Sequence, residues 1–113
     1  MNQPQKLLFI CSQNRLRSLT AETMYQGFPG YEVRSAGTEP GARIRVNQGH
    51  IGWADMIFVM EKKHGRILRE KFSDALDGKT VICLRIPDDY YYMEPALIEE
   101  LKAALNGHVE MPE

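Results

Sequence analysis

Apolar residues occur in this chain either as short unbroken runs or at helical spacing, and the two patterns alternate. The unbroken runs 6–10, 56–60 and 80–84 are typical of strands that are covered on both faces in a parallel sheet. The segment 31–36 alternates apolar and polar residues, which predicts a further strand nearer an edge of the sheet. The pattern therefore predicts four strands.

Helical spacing predicts three helices that follow these strands, over residues 16–25, 61–72 and 95–105. Between residues 37 and 53 the pattern is weak and allows either a short helix or an irregular segment. Strands that alternate with helices predict an α/β fold, with a four-stranded parallel sheet and helices on both faces. We expect one domain over residues 1–113, in which 106–113 form a flexible tail.

Length and charge limit the classes of function without naming one. The 113 residues, 43% of them apolar, fit one globular domain with one active site. The formal charge is -1, and no run of like charges indicates a nucleic-acid or membrane partner. No segment is long and apolar enough to span a bilayer, and the N-terminus lacks the features of a signal peptide. We expect a cytoplasmic monomer or weak homodimer.

The two cysteines differ in their surroundings. Two cysteines cannot build a disulfide framework, and no spacing of cysteine and histidine resembles a zinc site. Cys83 lies inside an apolar run, where core packing is the usual explanation. Cys11 directly follows the first predicted strand and precedes a polar loop. Its position at a strand end indicates a chemical role.

The loop after Cys11 has the features of an anion-binding site. A loop between a strand end and a helix N-terminus directs its backbone N–H groups into one concavity, where the helix dipole adds positive charge. The same field favours a thiolate at Cys11. The fork of donors on Arg17 can bind two phosphoryl oxygens. The expected phosphate ligands are Ser12, Gln13, Asn14, Arg15, Leu16 and Arg17.

Further residues can complete a phosphoryl-transfer site. Ser18 is expected to donate its hydroxyl hydrogen to the sulfur, and Asn14 to brace the loop. Asp88 and Asp89 follow the fourth strand and can reach the same edge of the sheet, so either one is a candidate for the general acid. Tyr90, the next residue, is a candidate for contact with an aromatic substrate.

At these residues the chain resembles the low-molecular-weight protein tyrosine phosphatases, whose signature is Cys, five residues, Arg and Ser at the end of the first strand. The resemblance extends in order through Ala21-Glu22, residues 35–38, 54–60 and 86–88. It implies that Cys11 is the nucleophile, that Arg17 binds phosphate and that Ser18 assists the thiolate. It also implies that Asn14 braces the loop and that Asp88 is the acid.

The chain departs from that family at several positions. The family usually has Gly at the position of Gln13, a second Cys at Leu16 and Pro at Leu19, and its acidic residue is normally followed by Pro rather than by a residue such as Asp89. The segment between residues 37 and 54 is shorter than usual. We therefore expect a more open pocket or a changed substrate.

Three functions follow from these features. The first is a phosphotyrosine or small aryl phosphate phosphatase that forms a phosphocysteine. The second is an arsenate reductase, although only Cys83 is available to carry an oxidation further. The third is a catalytically weak module that binds phosphorylated partners. No metal or organic cofactor is expected, since a thiolate, an arginine and a carboxylate suffice for phosphoryl transfer.

Overall fold

The structure of the protein, a computed structural model, describes residues 3–112. Within that range, strands and helices alternate, and all four strands are parallel in the order β2, β1, β3, β4. The elements are β1 (Gln5–Cys11), α1 (Arg17–Tyr25), β2 (Tyr31–Gly37), α2 (Gln48–Trp53), β3 (Met56–Val59), α3 (Lys62–Leu76), β4 (Thr80–Cys83) and α4 (Pro95–Leu105).

The unbroken apolar run of β1 is explained by two buried faces. Successive side chains of a strand point to opposite sides of the sheet. Leu7 and Phe9 pack in one buried cluster, with residues of α1 and α4. Leu8 and Ile10 pack in a second cluster, with residues of α2 and α3. The predicted α/β fold, a parallel sheet with helices on both faces, is confirmed.

One helix falls where the sequence left two alternatives open, and another extends beyond its predicted end. The short helix α2 lies where the apolar pattern was weak, and a capping box defines its start. Asn47 accepts a hydrogen bond from the His50 backbone N–H, while the His50 ring accepts one from Asn47 N–H. Helix α3 continues to Leu76, beyond the predicted end, across a non-helical residue at Phe72 (φ -132°, ψ 33°).

Residues 106–112 are packed against the domain, where the sequence predicted a flexible tail. The Tyr25 hydroxyl donates to the Glu110 carbonyl (2.8 Å), and the Glu110 N–H donates to the Tyr31 hydroxyl (2.9 Å). Val109 and Met111 contact the cluster beneath α1 and α4. No helix among the described residues is long and apolar enough to cross a membrane.

Register places the ends of the strands at one edge of the sheet. Ile10 of β1 pairs with Val59 of β3, which in turn pairs with Cys83 of β4. Cys11 pairs with Gly37 of β2 on the other side. The segments that follow the four strands therefore meet around Cys11, as expected for the ligand-binding edge of a parallel α/β sheet.

Candidate active site

A small cavity opens at this edge, between the loop 12–16 and the segment after β4. Cys11 is the last residue of β1 and is only 3% exposed. Arg17 begins α1 and is 2% exposed. The cavity has a volume of about 210 Å³ and is lined by Cys11, Ser12, Gln13, Arg15, Leu16, Arg17 and Asp88.

Three consecutive carbonyl groups of the loop point away from the cavity. The carbonyls of Cys11, Ser12 and Gln13 accept hydrogen bonds from the segment 38–43, at 2.9–3.1 Å. In a planar trans peptide the N–H points opposite to the preceding carbonyl, so the next three N–H groups point toward the cavity. One of them, Asn14 N–H, donates to Cys11 Sγ at 3.2 Å. The loop is therefore a nest of donors around the sulfur.

The short segment after β2 supports the loop rather than leaving it open. Besides the backbone bonds, Arg43 Nε donates to the Asn14 carbonyl (3.1 Å). Gly37 allows this close approach: a Cβ there would lie 2.5 Å from the Ser12 carbonyl oxygen and 2.7 Å from Ala42 Cβ. From this shortening the sequence predicted either a more open pocket or a changed substrate. The segment does not leave the loop open but forms a wall that holds it, and the change of substrate stays a prediction.

The left-handed backbone in the loop is at Asn14 (φ 57°), a residue type that tolerates this conformation. Gln13 does not have a positive φ, so glycine is not required at that position. Its side chain extends outward and hydrogen-bonds with Glu39. The departure at Gln13 is therefore compatible with a formed loop.

A directed chain of hydrogen bonds ends at Cys11. A carboxylate can only accept, so the Ser35 hydroxyl donates to Glu22 and must accept from Asn14 Nδ2 (2.8 Å). The same amide nitrogen donates to Ser18 Oγ (2.8 Å). The hydroxyl hydrogen of Ser18 is therefore free to donate to Cys11 Sγ, 2.9 Å away. Glu22 thus sets the direction of the whole chain, and the sulfur receives two hydrogen bonds.

Arg17 is held by one nitrogen and leaves one edge open. Its Nη1 donates to Glu61 Oε2 (2.6 Å) and to the Ile86 carbonyl (2.8 Å). Burial would raise the pKa of the Glu61 carboxyl, but the hydrogen bond and the charge of Arg17 outweigh it and lower that pKa. Within residues 3–112, Nε and Nη2 of Arg17 make no hydrogen bond to the protein, so this edge can bind two oxygens of an anion.

Ser12 is oriented by a buried histidine. His64 has 0% exposure, and its Nδ1 accepts from the Glu61 N–H (3.0 Å). The neutral ring therefore carries its hydrogen on Nε2, which lies 2.9 Å from Ser12 Oγ and donates to it. The hydroxyl hydrogen of Ser12 has no acceptor in the described part of the chain and is free to bond with an anion in the cavity.

Sequence reasoning missed Glu61 and His64. Both lie at the start of α3, 44 and 52 residues from their partners Arg17 and Ser12. A signal was present, since Glu61 follows the apolar run 56–60 in the same way that Cys11 follows the run 6–10. Adjacent parallel strands bring such positions together.

The structure places the two candidate acids, Asp88 and Asp89, in different surroundings. Asp88 lines the cavity, with Oδ1 3.7 Å from Arg17 Nε, and is 62% exposed. Asp89 is exposed and does not line the cavity. Tyr90, predicted to contact substrate, instead packs against the cluster beneath α1 and α4. The next residue, Tyr91, is 80% exposed.

The fold and the site define a class: parallel α/β proteins with a cysteine at the start of a loop of backbone donors after the first strand. The tyrosine phosphatase Wzb from Escherichia coli, solved with phosphate, superposes with a TM-score of 0.72, at 21% identity over 90% of this chain and 94% of that one. A low-molecular-weight phosphotyrosine phosphatase from Vibrio cholerae gives a TM-score of 0.67, at 21% identity over 89% and 94%. The chain therefore has the low-molecular-weight phosphatase fold.

Sequence comparison gives a related result. A protein-arginine-phosphatase from Geobacillus stearothermophilus is 28% identical over 66% of each chain, so this protein spans just under two thirds of that relative. No protein-family profile matches the sequence.

Acid is expected to destabilise the protein through His64. Burial, and then the charge of Arg17, lower the pKa of His64 from 6.5 to about 4; Lys63 lowers it further, whereas Glu61 and Asp88 raise it. Between pH 6.5 and about pH 4, His64 binds a proton in the unfolded state but not in the folded state. Its contribution to the free energy of unfolding is therefore complete above pH 6.5 and is lost as pH falls through about 4. This one histidine therefore lowers the free energy of unfolding by roughly 2 kcal/mol when the pH falls from 7 to 5.

Urea unfolding at pH 7 and pH 5 checks this expectation. The variant His64→Asn should lose less stability between the two pH values than the unmodified protein does. His108→Asn removes an exposed histidine and is the matched control. An equal loss in the protein and in His64→Asn would contradict the assignment of a buried neutral ring.

Proposed function

We propose that the protein is a cysteine-dependent phosphatase that hydrolyses phosphotyrosine in proteins through a phosphocysteine intermediate. The observation that supports this most directly is the Cys11 sulfur, which receives hydrogen bonds from Ser18 and from Asn14 N–H beside the open edge of Arg17. Hydrogen-bond donors around a sulfur suit it to the role of nucleophile and leaving group, and this sulfur lines the cavity beside Arg17.

In the first step the Cys11 thiolate attacks phosphorus, so that a P–S bond forms and the P–O bond to the substrate breaks. The open edge of Arg17 and the N–H groups of the loop bind the three equatorial oxygens as charge develops on them. Ser12 adds a hydroxyl donor, oriented by His64. Asp88, across the cavity, gives its proton to the leaving oxygen.

In the second step water attacks the phosphocysteine, and Asp88, now a carboxylate, accepts a proton from that water. The P–S bond breaks and inorganic phosphate leaves. The Cys11 sulfur departs as a thiolate, to which Ser18 donates its hydrogen bond. The acid is thereby returned to its protonated form, and each residue ends as it began.

A phosphorylated phenol fits the mouth of the cavity better than a cationic side chain does. Leu16 gives the lining an apolar side chain that can contact the ring of a substrate. Arg15 also lines the mouth and is exposed. Two arginines beside the phosphate attract a dianion and disfavour a guanidinium group next to it.

Phosphoarginine is the second candidate substrate, because the curated relative at 28% identity is named a protein-arginine-phosphatase. A carboxylate at the mouth, as Asp88 provides, can attract the guanidinium part of this substrate. One peptide prepared with phosphotyrosine and with phosphoarginine separates the two. Higher kcat/KM for phosphotyrosine supports the proposal, and higher kcat/KM for phosphoarginine replaces it with the second candidate.

Arsenate reduction is disfavoured by the positions of the cysteines. Cys11 belongs to the cluster beneath α1 and α4, whereas Cys83 packs against the cluster beneath α2 and α3. The two thiols therefore lie on opposite faces of the sheet. A relay in which Cys83 reduces an oxidised Cys11 would have to pass from one face of the sheet to the other.

Asp88→Asn is expected to lose about 100-fold in kcat/KM with phenyl phosphate, because its leaving oxygen needs a proton. The loss should be smaller with p-nitrophenyl phosphate, whose leaving group is stable as an anion. Asp89→Asn is the matched control and should stay within a few-fold of the unmodified protein on both esters. A larger loss in Asp89→Asn would transfer the role of the acid to that residue.

Release of p-nitrophenol from its phosphate ester tests the general proposal. Turnover by the unmodified protein that is inhibited by vanadate supports a phosphatase. Phosphate or vanadate that binds without turnover would instead favour a module that reads phosphorylated partners.

A further inference from the structure

A second cavity, of about 540 Å³, lies between α3 and the sheet and shares no residue with the catalytic cavity. We call it the basic groove. Apolar residues from β3 and β4 line one side, and cationic residues from α3 line the other. These are Val59, Val81 and Cys83 on the sheet, and Lys62, Arg66 and Arg69 on the helix.

The three cations form one stripe without counterions. Lys62, Arg66 and Arg69 are spaced four and three residues apart, so they lie on one face of α3. None of them has a carboxylate within 4 Å among residues 3–112. Glu70 is the one acidic residue in the described lining, which leaves a net positive charge.

Lys62 adds to the positive charge of the groove, at a position where a cation destabilises the helix. It is the first residue of α3, and the first turn has no acidic residue. The helix dipole makes a cation here unfavourable by about 0.3–1 kcal/mol. The helix dipole at this end is already met by the Glu61 carboxylate at the N-cap, so it is the cationic stripe that favours an anionic occupant of the groove.

Gly65 keeps the groove open. It lies inside α3, where glycine is less favourable than alanine by about 1 kcal/mol, and it does not have a positive φ that would explain it. A Cβ at this position would lie 3.4 Å from Arg69 Nη1 and 3.8 Å from Val59 Cγ2. A larger side chain would fill the space between the cationic stripe and the floor.

The groove opens on the same edge of the sheet as the catalytic cavity. Val59 and Cys83 are the last residues of β3 and β4, as Cys11 is the last of β1. Lys62 directly follows Glu61, which binds the phosphate-binding Arg17. A protein whose phosphorylated side chain occupies the catalytic cavity would reach the groove by passing over this edge, from the face on which Cys11 packs to the face that carries α3.

We propose that the basic groove binds an acidic segment of the phosphoprotein substrate, outside its phosphorylated residue. Apolar side chains of that segment contact Val59 and Val81, and its carboxylates contact the stripe on α3. This inference rests on the proposed function for the identity of the partner. The chemistry of the groove itself, an apolar floor with an unpaired cationic wall, specifies an acidic peptide.

The test compares two phosphopeptides that share one phosphorylation site, of which only one carries a tract of Asp and Glu. The variant Arg66→Glu with Arg69→Glu reverses the stripe. Its matched control, Lys71→Glu with Lys102→Glu, makes the same change in net charge outside the groove. We expect the stripe variant to lose about tenfold in kcat/KM, through KM, on the acidic peptide alone. The tract-free peptide and p-nitrophenyl phosphate should be unaffected.

Other results would overturn the inference. The first is that the unmodified protein has the same kcat/KM on the peptide with the acidic tract as on the peptide without it. The second is that the stripe variant loses kcat/KM equally on both peptides. A change in self-association of the stripe variant on sedimentation would assign the groove to a second copy. Binding of the unphosphorylated acidic peptide, measured by fluorescence anisotropy, separates this inference from the proposed function. It tests the groove even if the protein turns over no phosphate ester.

Discussion

Cys11→Ser is expected to lose roughly 10⁴-fold or more in kcat for p-nitrophenyl phosphate while it keeps its fold. A serine hydroxyl is a far weaker nucleophile than a cysteine sulfur near neutral pH, and the hydrogen-bond donors around residue 11 cannot make up the difference. These donors are the Ser18 hydroxyl, at 2.9 Å, and Asn14 N–H, at 3.2 Å. A serine Oγ can accept from both, so the loop should remain closed.

The fold of Cys11→Ser is checked by its circular dichroism, and its loop by the rise in Tm that phosphate causes. A ligand that binds only the folded state stabilises it according to its concentration and affinity. Retained phosphate binding with lost turnover identifies the sulfur as the nucleophile. Turnover within tenfold of the unmodified protein would refute a phosphocysteine pathway, because that pathway cannot proceed without the Cys11 sulfur.

The fold could be predicted because local pattern and tertiary burial agree. The run Leu7-Leu8-Phe9-Ile10 is apolar on both sides, and in the structure each side packs under a pair of helices. The helix α4 was predicted with its observed bounds because Pro95 favours the first helical position and apolar residues repeat behind it. Such elements depend little on distant residues.

Other features could not be predicted because they depend on contacts distant in sequence. Residues 106–112 have no periodic pattern, and they are held by hydroxyl groups of Tyr25 and Tyr31, about 80 residues away. Tyr90 was assigned to the substrate from its place beside Asp89, but the turn after β4 directs it into the apolar cluster. Adjacent residues point in different directions, and only the fold decides which one faces the cavity.

In the candidate site, too, the residues that depend on contacts distant in sequence could not be predicted. Cys11, Arg17 and Ser18 could be predicted because they lie within one loop and the start of its helix. Glu61 and His64, which orient Arg17 and Ser12, come from another strand end. The residues predicted to act on phosphate are therefore local, whereas those that hold them in place are not.

Arg17→Lys is expected to lose about 10³-fold in kcat/KM, although it preserves the charge. In the protein one nitrogen, Nη1, binds Glu61 and the Ile86 carbonyl, and the remaining edge is open for two phosphoryl oxygens. A lysine has a single nitrogen, which cannot satisfy the buried partners and also bind the substrate in a bidentate manner. Whichever set of contacts it keeps, it loses the other.

Kinetics on p-nitrophenyl phosphate and the affinity for vanadate measure this loss. Arg15→Lys is the matched control, because Arg15 lies in the same loop but is exposed, and it should stay within a few-fold. Glu61→Ala tests whether Glu61 positions the guanidinium of Arg17. Without the acceptor that fixes Nη1, Arg17 can turn toward Asp88, whose Oδ1 is already 3.7 Å from Nε. We therefore expect Glu61→Ala to weaken vanadate binding, and unchanged binding would show that Glu61 does not position the arginine.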